Sequence, residues 1–129
     1  MKNPAEVMAT KDENAQQPIS TAWRPVLTQV VSALMNGDFR LKAGVSGVEP
    51  PSIETAEHIR ASIAAYGATL VELPEDSWSS SVCMWYGTHW DALVDLWTEE
   101  EGRSDLVLSV RIAEESSGYV YKVHMVYVP

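Results

Sequence analysis

Cysteine is almost absent from this chain. A single residue, Cys83, means that no disulfide can form within one molecule. No apolar run approaches the roughly 20 residues that a membrane-spanning helix needs. Residues 1–20 also lack the apolar core of a secretory signal. Together these features predict a cytoplasmic protein in a reducing compartment.

Basic residues are scarce as well. The sequence has 9 Lys and Arg against 18 Asp and Glu, which gives a formal net charge of −9. A nucleic-acid binder needs cationic side chains to displace counterions from phosphates, so this balance argues against nucleic acid as a partner. It argues against an anionic membrane surface for the same reason. A basic protein, in contrast, would be attracted by this charge.

Motifs for cofactors and metals are missing. The glycines are scattered and form no phosphate-binding loop. His58, His89 and His124 have no metal-ligand spacing. The run Glu99-Glu100-Glu101-Gly102 lacks the alternating oxygen ligands of a calcium loop. We therefore expect no cofactor and no metal.

A thiol nucleophile is the one catalytic arrangement that the residue types suggest. Cys83 and His89 are close in sequence, and Asp91 or Asp95 could orient the histidine. A separation of six positions along a strand and turn does not enforce contact between them, however, and no cation lies near Cys83 in the sequence to lower its pKa. A small buried apolar thiol is the favoured interpretation, and the sequence favours a non-enzymatic protein.

Two helices are predicted in the first half. Apolar residues from Trp23 to Met35 recur at helical spacing, which predicts a helix over residues 22–36 that is capped by Ser20 or Thr21 and terminated by Asn36-Gly37. A second helix is predicted over residues 53–66. Residues 1–20 are polar and aperiodic and are predicted to form a disordered tail.

The second half alternates between apolar and polar residues. Strands are predicted over residues 69–73, 81–86 and 90–97; the last segment also fits a helix, and strand is chosen because its successors are plainly β. A hairpin over residues 106–113 and 119–128 should pair Ile112 with Tyr121, Val110 with Val123, Leu108 with Met125 and Leu106 with Tyr127. Residues 21–129 are thus predicted to form a single α+β domain, with two N-terminal helices packed on one face of a four- to five-stranded antiparallel meander.

The sheet face turned away from the helices is the candidate binding surface. It should carry Asp91, Asp95 and Trp97, then Ser109 and Arg111, then Lys122 and His124. A merely solvated face would look similar, since antiparallel sheets commonly leave one face to water. Of the clustered tryptophans, Trp97 is expected to be the exposed one. The candidate partner-binding residues are Asp91, Asp95, Trp97, Glu99, Glu100, Glu101, Asp105 and Arg111.

Residues 93–108 and the closing residues 126–129 resemble a small uncharacterised bacterial domain family. The resemblance extends to the helix from Trp23 and to residues 66–78. It implies no established activity. In size, charge and architecture such domains are similar to immunity proteins, which neutralise secreted bacterial toxins, and that likeness implies an acidic surface docking on a basic toxin.

Three hypotheses follow. The leading one is a non-enzymatic protein-binding domain, in one version an immunity protein, with a basic protein partner. The alternative is a small-molecule-binding domain or small enzyme with a pocket between helices and sheet. The third is a structural subunit that dimerises through the edge strand 119–128. The sequence leaves open whether the protein is a monomer or a homodimer.

Overall fold

The computed structural model describes residues 6–129. It is an α+β fold, the predicted class, with two helices and one six-stranded sheet in the order β1-β3-β4-β5-β6-β2. All neighbouring strands are antiparallel except β6 and β2, which are parallel. None of the helices in this part of the chain has the length and apolar character needed to cross a bilayer. The elements are β1 (Gln17–Pro18), α1 (Arg24–Met35), β2 (Val48–Glu49), α2 (Ile53–Tyr66), β3 (Val82–Trp85), β4 (Trp90–Thr98), β5 (Gly102–Glu115) and β6 (Gly118–Tyr127).

Local sequence signals account for the helix ends. A 3₁₀ turn over Thr21–Trp23 precedes α1, and the Ser20 hydroxyl accepts a hydrogen bond from the first turn. The Ser52 hydroxyl accepts the Thr55 N–H at 3.1 Å and caps α2. Gly67 ends α2 at φ 78°, a left-handed conformation that glycine adopts without a steric penalty.

The core lies on one face of the sheet, which we call the inner face. In β4 and β5 it takes alternate residues, because side chains in a strand point to opposite faces in turn. Buried residues of both helices, among them Leu27, Val30 and Ile59, belong to the same cluster. The sheet residues of the cluster in these two strands are Trp90, Ala92, Val94, Leu96, Leu106, Leu108, Val110 and Ile112.

The predicted hairpin register is correct at one end and wrong at the other. Val110 pairs with Val123 and Ile112 with Tyr121, as predicted. A β-bulge then shifts the pairing, so that Leu108 pairs with Val126 and not with Met125, and Tyr127 pairs with Val107. His124 is the extra residue. One extra residue moves every later side chain of the strand to the opposite face.

Residues 6–20 differ from the predicted disordered tail. Gln17 and Pro18 pair with β3, and Ile19 is fully buried. The segment is held against the sheet by the buried side chain of Ile19 and by contacts that the preceding residues make with distant parts of the chain. Neither feature can be recognised from the composition of residues 6–20. The expectation for residues 1–5 lies outside the described residues.

Three further differences from the prediction concern the number of strands, the edge of β6 and the segment 69–73. β1 and β2 raise the sheet to six strands and lie before and between the helices. β2 pairs with Tyr121 and Lys122, so β6 is not a free edge along its whole length. The strand predicted over residues 69–73 is reduced to a single bridge between Leu70 and Thr98.

Serine hydroxyls take the place of a strand beside the middle of β4. The Ser81 hydroxyl accepts the Asp95 N–H at 2.9 Å, and the Ser77 hydroxyl donates to the Asp95 carbonyl at 2.8 Å. Both serines are buried, and their hydroxyls lie 3.2 Å apart. The backbone of Asp95 is therefore satisfied although β3 does not reach it.

Candidate functional site

The second face of the sheet, which we call the outer face, carries part of the predicted site. The strand register places Asp91, Asp95, Trp97 and Arg111 there together. The same register and that of the neighbouring strands complete the outer face with Val82, Met84, Leu93, Arg103, Val107, Ser109, Lys122, Met125 and Tyr127.

A row of charges crosses the outer face. Arg111 lies directly opposite Lys122, a pairing of like charges that by itself is unfavourable. Acidic residues on both sides compensate: Asp91 lies 3.7 Å from the Arg111 guanidinium, and Glu49 lies 3.9 Å from the Lys122 ammonium. The order along the row is therefore acidic, basic, basic, acidic. The two cations, Arg111 and Lys122, are adjacent in the middle.

An apolar strip lies beside this row. Val107 and Ser109 are only 7% and 6% exposed although they lie on the outer face. Neighbouring side chains shield them, and Leu93, Met125 and Tyr127 are themselves partly accessible. The bulge at His124 places Met125 and Tyr127 there. Met125 and Tyr127 could not be assigned to this face from the sequence, because the four consecutive apolar residues 125–128 give no signal for the bulge.

Trp97 is less exposed than predicted. It is partly buried, and its ring lies near the backbone of Gly102, where a Cβ would meet Cζ3 at 3.6 Å. Its indole Nε1 is buried and has no hydrogen-bond partner among the described residues. A buried donor without an acceptor lowers the stability of the folded state, so a change that supplies an acceptor for this N–H should stabilise the domain.

The acidic hairpin tip serves the domain itself. The Glu100 carboxylate accepts the Thr69 N–H at 2.9 Å, and this hydrogen bond lowers the pKa of Glu100. Glu101 accepts the Tyr66 hydroxyl at 2.7 Å. These contacts tie the tip to the end of α2. The predicted acidic patch is thus divided, because Glu100 and Glu101 bind residues of the linker and helix and do not extend the outer face.

Glu99 and Asp105 are the two remaining predicted residues, and both are exposed. The Glu99 N–H donates to the Thr69 carbonyl at 2.9 Å, so its backbone helps to hold the tip while its side chain reaches solvent. The Asp105 N–H donates to the Tyr66 hydroxyl at 3.1 Å. In β5, Asp105 lies between Arg103 and Val107, both of which are outer-face residues.

The thiol and histidine considered for catalysis do not face each other. Cys83 pairs with Ala92 and is buried on the inner side, where desolvation raises the pKa of its thiol to about 11. His89 instead lies 3.0 Å from the Thr88 hydroxyl and 3.5 Å from the Asp91 carboxylate. A protonated thiol at this depth is not a nucleophile. Within residues 6–129, no group of three or more potential metal ligands comes together.

Several open grooves lie at the surface of the described residues. The space between helices and sheet is filled by core residues such as Val30, Val94 and Leu108, which are fully buried. One groove of about 550 Å³ lies at the β2 end of the outer face, lined by Glu49, Arg111, Ala113, Val120 and Lys122. The predicted pocket between helices and sheet is therefore occupied by side chains.

The fold and this surface define a small α+β domain whose second sheet face combines an apolar strip with a charged row. The chain belongs to the family described as Domain of unknown function (DUF7668), whose sequence model matches residues 31–129. No curated protein and no solved structure matches the chain.

Proposed function

We propose that this protein is a non-enzymatic binding domain that docks a basic protein on its outer face. The observation that carries the proposal is the apolar strip of Leu93, Met125 and Tyr127, which stays partly accessible beside charged residues. Interfaces between proteins combine such an apolar centre with a polar rim.

The position of the helices supports this choice of face. Their buried residues join the inner-face core, which takes no outer-face residue of β4 or β5. We infer that both helices pack on the inner face and leave the outer face for a partner. An antiparallel sheet with one free face is stable in water, but such a face is usually more polar than this one.

The net charge of the whole chain, more than that of the outer face itself, supports a basic partner, because Arg103, Arg111 and Lys122 share the outer face with Asp91 and Asp95. The chain has a net charge of −9, and Asp91, Asp95 and Glu99 line or border the strip. A field of this sign accelerates the approach of a basic protein and repels acidic ones.

An immunity protein is the most specific version of this proposal. An acidic domain that covers the basic nucleic-acid-binding surface of a toxin nuclease would block its substrate by occupying the same charges. The small size and acidic surface of this chain fit that role. Protection of cells that co-express such a toxin would support this version, and loss of protection in an outer-face variant would locate it.

The test uses the tagged full chain in its source lysate. Met125→Glu places a charge within the apolar strip, and Ile53→Glu is the matched control because Ile53 is 72% exposed on α2 and lines a different groove, beside Phe39. Any captured protein is purified, and its Kd for each variant is measured by calorimetry at several salt concentrations.

A basic partner should bind wild type and Ile53→Glu equally. Its Kd should rise at least about tenfold with Met125→Glu, since hot spots cluster at the apolar centre of an interface. Its Kd should also rise with salt. Equal binding by Met125→Glu, or a Kd that does not depend on salt, would refute the outer face as the docking site.

A further inference from the structure

Residues 6–18, which we call the N-terminal strap, cross an aromatic cluster at one end of the inner face. The cluster consists of Trp23, Trp85, Trp90 and Tyr119, with ring centroids 4.6 to 6.1 Å apart in the contacting pairs. The strap supplies a partner for one of these rings. The Trp90 indole N–H donates to the Thr10 carbonyl at 3.0 Å.

Lys11 of the strap occupies a second specific position. Its ammonium lies 5.2 Å from the Trp85 ring centroid and 2.7 Å from a Glu114 carboxylate oxygen. A cation held between an aromatic face and a carboxylate is a recognised arrangement for binding lysine and arginine side chains. The domain surface under the strap therefore has the chemistry of a site for a basic side chain.

The strap itself is lightly attached between two fixed ends. Val7 exchanges hydrogen bonds with Thr21 at one end, and only Gln17 and Pro18 pair with β3 at the other. Pro18 has no N–H to donate. Between these ends the residues are mostly exposed, with Met8 at 69%. A loop with few buried contacts and fixed ends opens at a low free-energy cost.

The strap and the whole chain both carry a net negative charge, which weakens the attraction between the strap and the surface beneath it. Glu6, Asp12 and Glu13 against Lys11 give residues 6–18 a net charge of −2, from three acidic and one basic residue. The whole chain is at −9. A segment that keeps the lysine and lacks the acidic residues would be attracted more strongly to the same surface.

We propose that the N-terminal strap occupies, within its own chain, a site for an extended basic segment of another protein. The incoming segment would place a Lys or Arg between Trp85 and Glu114, present a backbone carbonyl to the Trp90 indole and pair with the edge of β3. This site is separate from the outer face, because Trp85 and Glu114 lie on the inner-face side of their strands. A result that disproves this site would therefore leave the proposal for the outer face unaffected.

The test is a fluorescence-anisotropy titration of the full chain with a labelled synthetic peptide. The peptide copies residues 7–18 with Asp12 replaced by Asn and Glu13 by Gln; a control peptide also replaces Lys11 by Gln. The proteins are wild type, Lys11→Gln, the double variant Lys11→Gln/Glu114→Gln, and Lys42→Gln, which removes one exposed lysine in the loop after α1. Circular dichroism and thermal melting verify that each protein is folded.

The Lys11→Gln protein should bind the lysine peptide about fivefold more tightly than wild type, because its own strap has lost the cation contact and competes less well. The double variant should bind it about fivefold more weakly than Lys11→Gln. Lys42→Gln should match wild type, and the control peptide should bind all proteins weakly.

Three outcomes would overturn the proposal. The first is no binding of the lysine peptide to folded Lys11→Gln at millimolar concentration. The second is equal binding of the two peptides. The third is formation of a strap-exchanged dimer by Lys11→Gln in light scattering, which would identify a second copy of this chain as the occupant.

Discussion

Replacing Ser81 by Ala should destabilise the domain far more than replacing its neighbour Ser80. Ser81 is buried and its hydroxyl accepts the Asp95 N–H, so the alanine variant leaves that backbone donor unpaired. A buried donor without a partner costs about 2 kcal/mol. For a chain of this size that corresponds to a fall in Tm of about 8 °C.

Ser80 provides the control in the next position. Its hydroxyl is buried but has no hydrogen-bond partner among the described residues. Ser80→Ala removes an unsatisfied polar group, so we expect its free energy of unfolding to equal that of wild type or to rise by up to about 1 kcal/mol. Urea unfolding of the three proteins measures the difference. Equal destabilisation by both variants would refute the role assigned to the serine hydroxyls beside β4.

Two further predictions concern the thiol and the hairpin tip. Cys83 should react with a thiol reagent at neutral pH only as fast as the protein opens, since burial raises the pKa of its thiol to about 11; rapid labelling of the native protein would contradict this. The Thr69 N–H lowers the pKa of Glu100, so Glu100 stabilises the fold above its unfolded-state pKa and loses this effect as pH falls through the folded pKa. The Tm difference between wild type and Glu100→Gln should therefore be largest near pH 7 and vanish in acid, and a difference that grows in acid would reverse the assignment.

Strict alternation made part of the sheet predictable from the sequence. Residues 108–112 alternate between apolar and polar side chains without interruption, and the pairs Val110–Val123 and Ile112–Tyr121 follow from this pattern. The same alternation placed Asp91, Asp95 and Trp97 on one face. Period and polarity are local properties, so these features can be derived from neighbouring residues alone.

Features that depend on distant partners could not be derived in this way. Glu100 and Glu101 look like solvated acids until Thr69 and Tyr66, more than thirty positions earlier, are seen to bind them. The N-terminal strap has too few apolar residues to predict order, and its contacts with Trp85 and Trp90 exist only in the folded chain. Such contacts depend on tertiary geometry, which composition and periodicity do not encode.

The bulge at His124 has a consequence for how this domain can change its sequence. Before it, the odd-numbered residues of β6 face the core; after it, they face outward, while Val126 enters the core. Met125 and Tyr127 are therefore free to vary with whatever the outer face contacts, without any loss of core volume. Deleting His124 would remove the bulge and still leave Met125 opposite Ser109 and Val126 opposite Leu108, so both sets would keep their faces and this deletion should be tolerated better than a charged substitution at the buried Val126.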